Sequence, residues 1–173
     1  MEAIRLLVDR TDTPIGELTI VVDGAGRLRA VGWTEHEDRM RHFLRVHYGA
    51  NGHALEPARE PVDGVVALKA YFAGDLAAIE DLAVETTGTP FQRAVWRALR
   101  DIPCGHTISY RELARRIGRP AAVRAVGLAN GANPVGIVVP CHRVIGSAGS
   151  LTGYGGGLER KRWLLAHEGA LLT

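Results

Sequence analysis

Cys141 and His142 are neighbours in the run Val139-Pro140-Cys141-His142-Arg143-Val144. A thiolate is a soft nucleophile suited to displacement at carbon, and cationic neighbours with a base within reach are what make it available. Adjacent residues on an extended chain face opposite ways, so the spacing predicts that His142 takes the thiol proton through a bridging water. Glu168, near the end of the chain, is the carboxylate that would orient the imidazole and complete a Cys–His–Glu set. An isolated Cys-His pair is more often an inert buried thiol, and the pair alone leaves both readings open. Gly153-Tyr154-Gly155-Gly156-Gly157 adds a loop whose glycines admit a flat ligand closely, with Tyr154 offering a ring and a hydroxyl. The same composition also suits a plain connector.

Ile137–Val139, rich in β-branched residues, predicts a short buried strand that Pro140 ends, with Cys141 just beyond it. Residues 158–167 predict a final helix carrying Trp163, Leu164 and Leu165 to the core. Before the cysteine, Thr89-Pro90 opens a helix through Phe91, Val95, Trp96 and Leu99. Ser109 with Glu112 three residues on predicts a capping box for a second helix. Gly118-Arg119-Pro120 interrupts, and residues 121–130 predict a third. Helix, short glycine-bearing turn, helix is the helix-turn-helix pattern, although an ordinary helical hairpin shares it. Small residues at 121, 122, 125, 127 and 129 would let the last helix approach a partner closely, or pack on its neighbour.

The first half reads as scaffold. Ile4–Asp9, Gly16–Asp23 and Arg27–Trp33 predict an antiparallel meander. Residues 37–48 predict a helix, 51–61 a connecting loop, and 63–72 a helix N-capped by Asp63 and stopped at Gly74. His36, His42, His47 and His53 show no compact metal-ligand spacing.

With 173 residues, 46% hydrophobic and 23% charged, the chain has the balance of a globular protein, not a disordered one. No run approaches the roughly 20 apolar residues of a membrane span. The first residues lack the basic and apolar regions of a secretory signal, and two cysteines cannot build a disulfide framework, so the cytoplasm is the expected compartment. Residues 1–89 hold nine basic and fifteen acidic residues, net −6; residues 90–173 hold twelve and four, net +8. A basic half containing a helix-turn-helix pattern, with Arg115, Arg116, Arg119 and Arg124 around it, suits a polyanion such as a nucleic acid.

Pro140-Cys141-His142-Arg143-Val144 resembles the active-site motif of the O6-alkylguanine-DNA alkyltransferases. Ser109-Tyr110, Arg124-Ala125-Val126-Gly127, Asn133-Pro134, Gly153-Tyr154 and Leu164-Leu165 with Glu168 keep that family's order, and Thr13-Pro14-Ile15-Gly16 is similar to its first hairpin. The resemblance implies an α/β fold: an RNase H-like scaffold domain with an antiparallel sheet and helices over 1–82, packed on a mostly helical domain over 89–173 that binds DNA and transfers alkyl groups. It implies that Cys141 accepts the alkyl group, His142 and Glu168 remove the proton, and Asn133 braces the turn. Tyr110 would protonate the leaving guanine. Arg124 would fill the gap left by the everted base, with Ala125, Gly127, Ala129, Tyr110 and Arg143 on the DNA. Val139, Val144, Tyr154, Gly155 and Gly156 would hold the base.

The implied partner is double-stranded DNA carrying O6-alkylguanine, bound in the minor groove by a monomer; action on O4-alkylthymine and cooperative binding on DNA are left open by the resemblance. No cofactor or metal is implied. Other readings of these residues are a lesion-binding module without chemistry, a helix-turn-helix regulator and a cysteine hydrolase. The hydrolase lacks a visible oxyanion hole or a distant His/Asn pattern.

Overall fold

The computed structural model describes residues 3–146, 151 and 153–170. The chain divides into two compact units, Met1–Thr87 and Gly88–Thr173. Among the described residues, no helix is long and apolar enough to cross a membrane.

In the first unit, β1 (Ile4–Thr13), β2 (Gly16–Asp23) and β3 (Leu28–Trp33) form the expected antiparallel meander. α1 (Glu37–Tyr48) lays Leu44, Met40 and Phe43 against Leu6, Val21 and Ala30. α2 (Asp63–Phe72) supplies buried Val65, Leu68 and Tyr71. β2 is buried continuously from Leu18 to Asp23, as expected of a central strand covered on both faces. Two details depart from expectation. Residues 51–61 are not simply a loop: β4 (His53–Pro57) adds to β1 in parallel, giving the order β3-β2-β1-β4. Its side chains are mostly exposed and it is held by backbone pairing, so its composition carries no strand pattern. Asp63 is the first residue of α2 rather than its cap, which is Val62.

In the second unit, α3 (Pro90–Leu99) is capped reciprocally by Thr89 and Gln92, with bonds of 3.1 and 3.0 Å. α4 (Tyr110–Arg116) and α5 (Val123–Gly131) form the helix-turn-helix, and Trp96 of α3 donates its indole N–H to the Ala129 carbonyl at 2.8 Å. Ser109 caps α4 by accepting from the Glu112 N–H at 3.0 Å, but the Glu112 carboxylate turns to Arg115 and Arg116, leaving the capping box half formed. β5 (Ile108–Ser109) pairs in parallel with β6 (Val144–Ile145), tying the start of α4 to the segment after the cysteine. α6 (Leu158–His167) closes the unit. Ile137–Val139 is not a strand; it lies in a turn with Ile137 at φ 69°. Trp163 is half-buried and stacks on His167 rather than entering the core.

Candidate active site

Cys141 opens a single 3-10 turn, Cys141–Arg143, so successive side chains are a third of a turn apart rather than opposed. That turn sends His142 inward, where it is fully buried with Nε2 2.9 Å from Glu168 Oε2. A carboxylate only accepts, so Nε2 carries the hydrogen and Nδ1 holds the lone pair. Nδ1 is buried with no partner among the described residues. Burial pushes the His142 pKa down and Glu168 opposes it; the net direction is downward, toward a neutral imidazole. The site therefore holds a neutral base with an oriented acceptor nitrogen.

Glu168 caps the C-terminus of α6. Besides His142, it accepts two bonds from Arg143, Nε at 2.8 Å and Nη2 at 3.0 Å. Burial alone would raise its pKa, but the bonds and charge of His142 and Arg143 outweigh this and bring it to about 2. Arg143 also donates from Nη1 to the Ile102 carbonyl at 2.7 Å. Arg143, expected on the DNA face, is thus a buried partner of the carboxylate, because the 3-10 turn directs it into the same polar core as His142. Gly105, at φ 85°, lets the 103–105 turn approach the Glu168 carbonyl; a Cβ there would lie 3.1 Å from that oxygen.

Cys141 is itself buried, 9% exposed, not at an open edge. Burial pushes its thiol upward, with the Asn133 amide and the charge of Lys161 opposing. The resting sulfur is a thiol whose proton must leave as it reacts. Asn133 pins the preceding turn: its Oδ1 accepts from the Val135 N–H at 3.0 Å, and its Nδ2 donates to the Val139 carbonyl at 2.8 Å. An isoleucine in the left-handed region persists only when its surroundings over-determine it, and these bonds do so at Ile137. Asn130 of α5 lies beside the same segment, its amide 3.4 Å from the Cys141 carbonyl.

Lys161 is a residue that composition and motif reading pass over. It is 0% exposed and donates to the Val144 carbonyl at 2.6 Å and the Gly153 carbonyl at 3.4 Å. Burial lowers its pKa to about 8, opposed by Cys141. The signal was in the helix period: Lys161, Leu164, Leu165 and Glu168 fall at i, i+3, i+4 and i+7, one buried stripe with a charge at each end. Replacing Lys161 by methionine removes the nearby cation that favours the thiolate. Cys141 alkylation by iodoacetamide, followed by peptide mapping to separate Cys104, is expected to slow several-fold near neutral pH and to need higher pH for half-maximal rate. An unchanged profile would separate Lys161 from the sulfur's ionisation.

Tyr110, the first residue of α4, is half-buried. Its ring lies 3.8 Å from where a Cβ on Gly127 would stand, and its hydroxyl 3.8 Å from the corresponding point on Gly153. The tyrosine therefore borders both α5 and the glycine loop, whose Gly155 is exposed and whose Tyr154 and Gly156 are partly buried. On α5, Arg124 and Ala125 are exposed and Gly127 is half-buried. Ala129, expected on the DNA face, turns to the core beneath Trp96. Val139 and Val144 are buried, and the Val144 carbonyl is occupied by Lys161. No group of three or more His, Cys, Asp or Glu that could hold a metal occurs among the described residues.

Residues 90–170 match the family model "6-O-methylguanine DNA methyltransferase, DNA binding domain". A methylated-DNA–protein-cysteine methyltransferase from Salmonella typhimurium is 54% identical over 169 residues, covering 98% of this chain and 99% of the relative. The crystal structure of Mycobacterium tuberculosis O6-methylguanine methyltransferase superposes with a TM-score of 0.77 at 44% identity, covering 95% of this chain and 93% of that one. The Mycobacterium tuberculosis OGT in complex with DNA gives 0.76 at 43%, covering 96% and 93%. Identity at this level along almost the whole chain shows that it belongs to the methylated-DNA–protein-cysteine methyltransferase family.

Proposed function

We propose that this chain removes the alkyl group from O6-alkylguanine in duplex DNA by taking it onto Cys141, once and irreversibly. The observation that carries this reading is the buried Glu168–His142 pair, in which Nδ1 of His142, the residue next to Cys141, has no partner among the described residues. The Cys141 proton passes through a bridging water to His142 Nδ1 as the sulfur attacks the alkyl carbon. The S–C bond forms, the C–O6 bond breaks, and its electron pair leaves with guanine. Tyr110 gives the guanine a proton at N3 and regains one from solvent, to which His142 gives up the proton it took from Cys141. The alkyl thiolate is a poor leaving group from carbon, so no step restores the thiol.

A lesion in a duplex is beyond reach of a buried sulfur, so the nucleotide must leave the stack, at a few kcal/mol. α5 enters the minor groove with Ala125 and Gly127 close to the backbone, and Arg124 fills the vacated space. Val139, Val144, Tyr154, Gly155 and Gly156 surround the everted base beside Tyr110. The protein acts as a monomer, in the reducing cytoplasm that keeps its thiol free.

A burst titration tests the reading: excess duplex carrying a radiolabelled O6-methyl group should deliver one label per chain and then stop. Continued turnover, or intact lesions beside bound protein, would contradict it. Arg124→Ala is expected to slow reaction with duplex by about tenfold or more relative to free O6-benzylguanine, because only the duplex requires eversion. Equal slowing on both substrates would remove Arg124 from that role.

A further inference from the structure

α5 turns Val126, Ala129 and Asn130 inward and leaves Arg124, Ala125 and Leu128 on its exposed side. Arg124 and Leu128 are four residues apart and so are neighbours on that face. Leu128 is 73% exposed, the highest value among the exposed large apolar side chains described. A lone exposed leucine needs no explanation on an ordinary surface. This one projects from a helix whose other exposed positions are small residues and one arginine; Arg119, in the turn before that helix, is exposed too, while Arg115 and Arg116 of α4 are exposed but paired with Glu112. The surface complementary to that arrangement is anionic at its rims and apolar between them. The minor groove of duplex DNA has this character, with phosphates along both edges and deoxyribose walls within.

We propose that Leu128 enters the minor groove one helical turn beyond Arg124 and packs on the deoxyribose wall. It thereby supplies an apolar share of duplex affinity and steadies the helix beside the everted nucleotide. The inference rests on the reading of α5 as the DNA-contacting helix. It adds a DNA-positioning residue whose contribution differs in kind from that of the arginines. Phosphate contacts weaken as salt rises because bound counterions are released, whereas an apolar contact has no such dependence. Leu128→Ala leaves the fold intact, since the side chain is exposed and alanine is the better helix former.

The experiment uses the full chain in two arms. In the first, binding to an undamaged duplex is measured across salt concentrations for wild type, Leu128→Ala and Leu128→Lys. Leu128→Ala is expected to weaken binding about five- to tenfold at every salt concentration without changing the slope of log K against log salt. Leu128→Lys is expected to steepen that slope by about one phosphate contact. In the second arm, the ratio of single-turnover rates on O6-methylguanine duplex and free O6-benzylguanine should fall about fivefold or more in Leu128→Ala. Duplex binding by Leu128→Ala equal to wild type, or an altered salt slope, overturns the inference. So does loss of self-association with duplex affinity unchanged, which would assign the leucine to a second copy of the chain. If wild type binds duplex but transfers nothing, the catalytic reading fails while the first arm still decides the role of Leu128.

Discussion

Cys141→Ser is expected to abolish alkyl transfer while leaving affinity for duplex DNA within a few fold of wild type. Serine is nearly isosteric, so the 3-10 turn, the His142–Glu168 bond and the Asn133 brace should survive. What disappears is ionisability and softness. His142 is a neutral base with one available nitrogen, and burial already raises the thiol pKa. A hydroxyl in the same place is far less acidic, and its oxygen is a poorer nucleophile toward alkyl carbon. The variant should therefore bind and evert the lesion without reacting. Gel-shift affinity with single-turnover transfer measures both halves, and residual transfer at a measurable fraction of the wild-type rate would exclude Cys141 as acceptor.

Glu168→Gln is expected to cost about 3–5 kcal/mol in urea unfolding, because it leaves the Arg143 guanidinium buried without its counter-charge. Alkyl transfer should fall at least about tenfold, since His142 loses the partner that fixes its tautomer. The pH dependence has a definite sign. A carboxylate held at about 2 in the folded state, against an ordinary 4.5, stabilises the protein above the ordinary value. That contribution, about 3 kcal/mol, disappears as pH falls from about 4.5 through about 2. The wild type should lose stability over this interval more steeply than Glu168→Gln. Pairing Glu168→Leu with Arg143→Met removes both charges, which is expected to recover much of the stability but not the transfer rate. Recovery of transfer in that double variant would show the carboxylate to be structural only.

The helices were legible in the sequence where their signals were local. Pro90 at the start of α3, Ser109 before α4 and the apolar period of 37–48 fixed those elements within a residue or two. The motif around Cys141 was equally visible, as were His142, Glu168 and Asn133. What stayed hidden depended on tertiary context. β4 exists because β1 offers it a backbone edge, not because of its side chains. Ile137–Val139 has strand composition but is bent by the Asn133 amide into a turn. Arg143 was expected on the DNA face and Lys161 carried no motif, yet both are buried cations, one on Glu168 and the other on backbone carbonyls. Net charge therefore overstates the cations available to DNA: Arg124 is on the exposed face of α5, and Arg143 is not.

Intact-mass measurement of the protein after incubation with an O6-methylguanine duplex reads the reaction without an intermediary assay. The expected product is a chain heavier by one methyl in place of one hydrogen, with peptide mapping assigning it to residue 141 and guanine restored in the DNA. Unmethylated protein alongside repaired DNA, or a methyl group found on any other side chain, would contradict that chemistry.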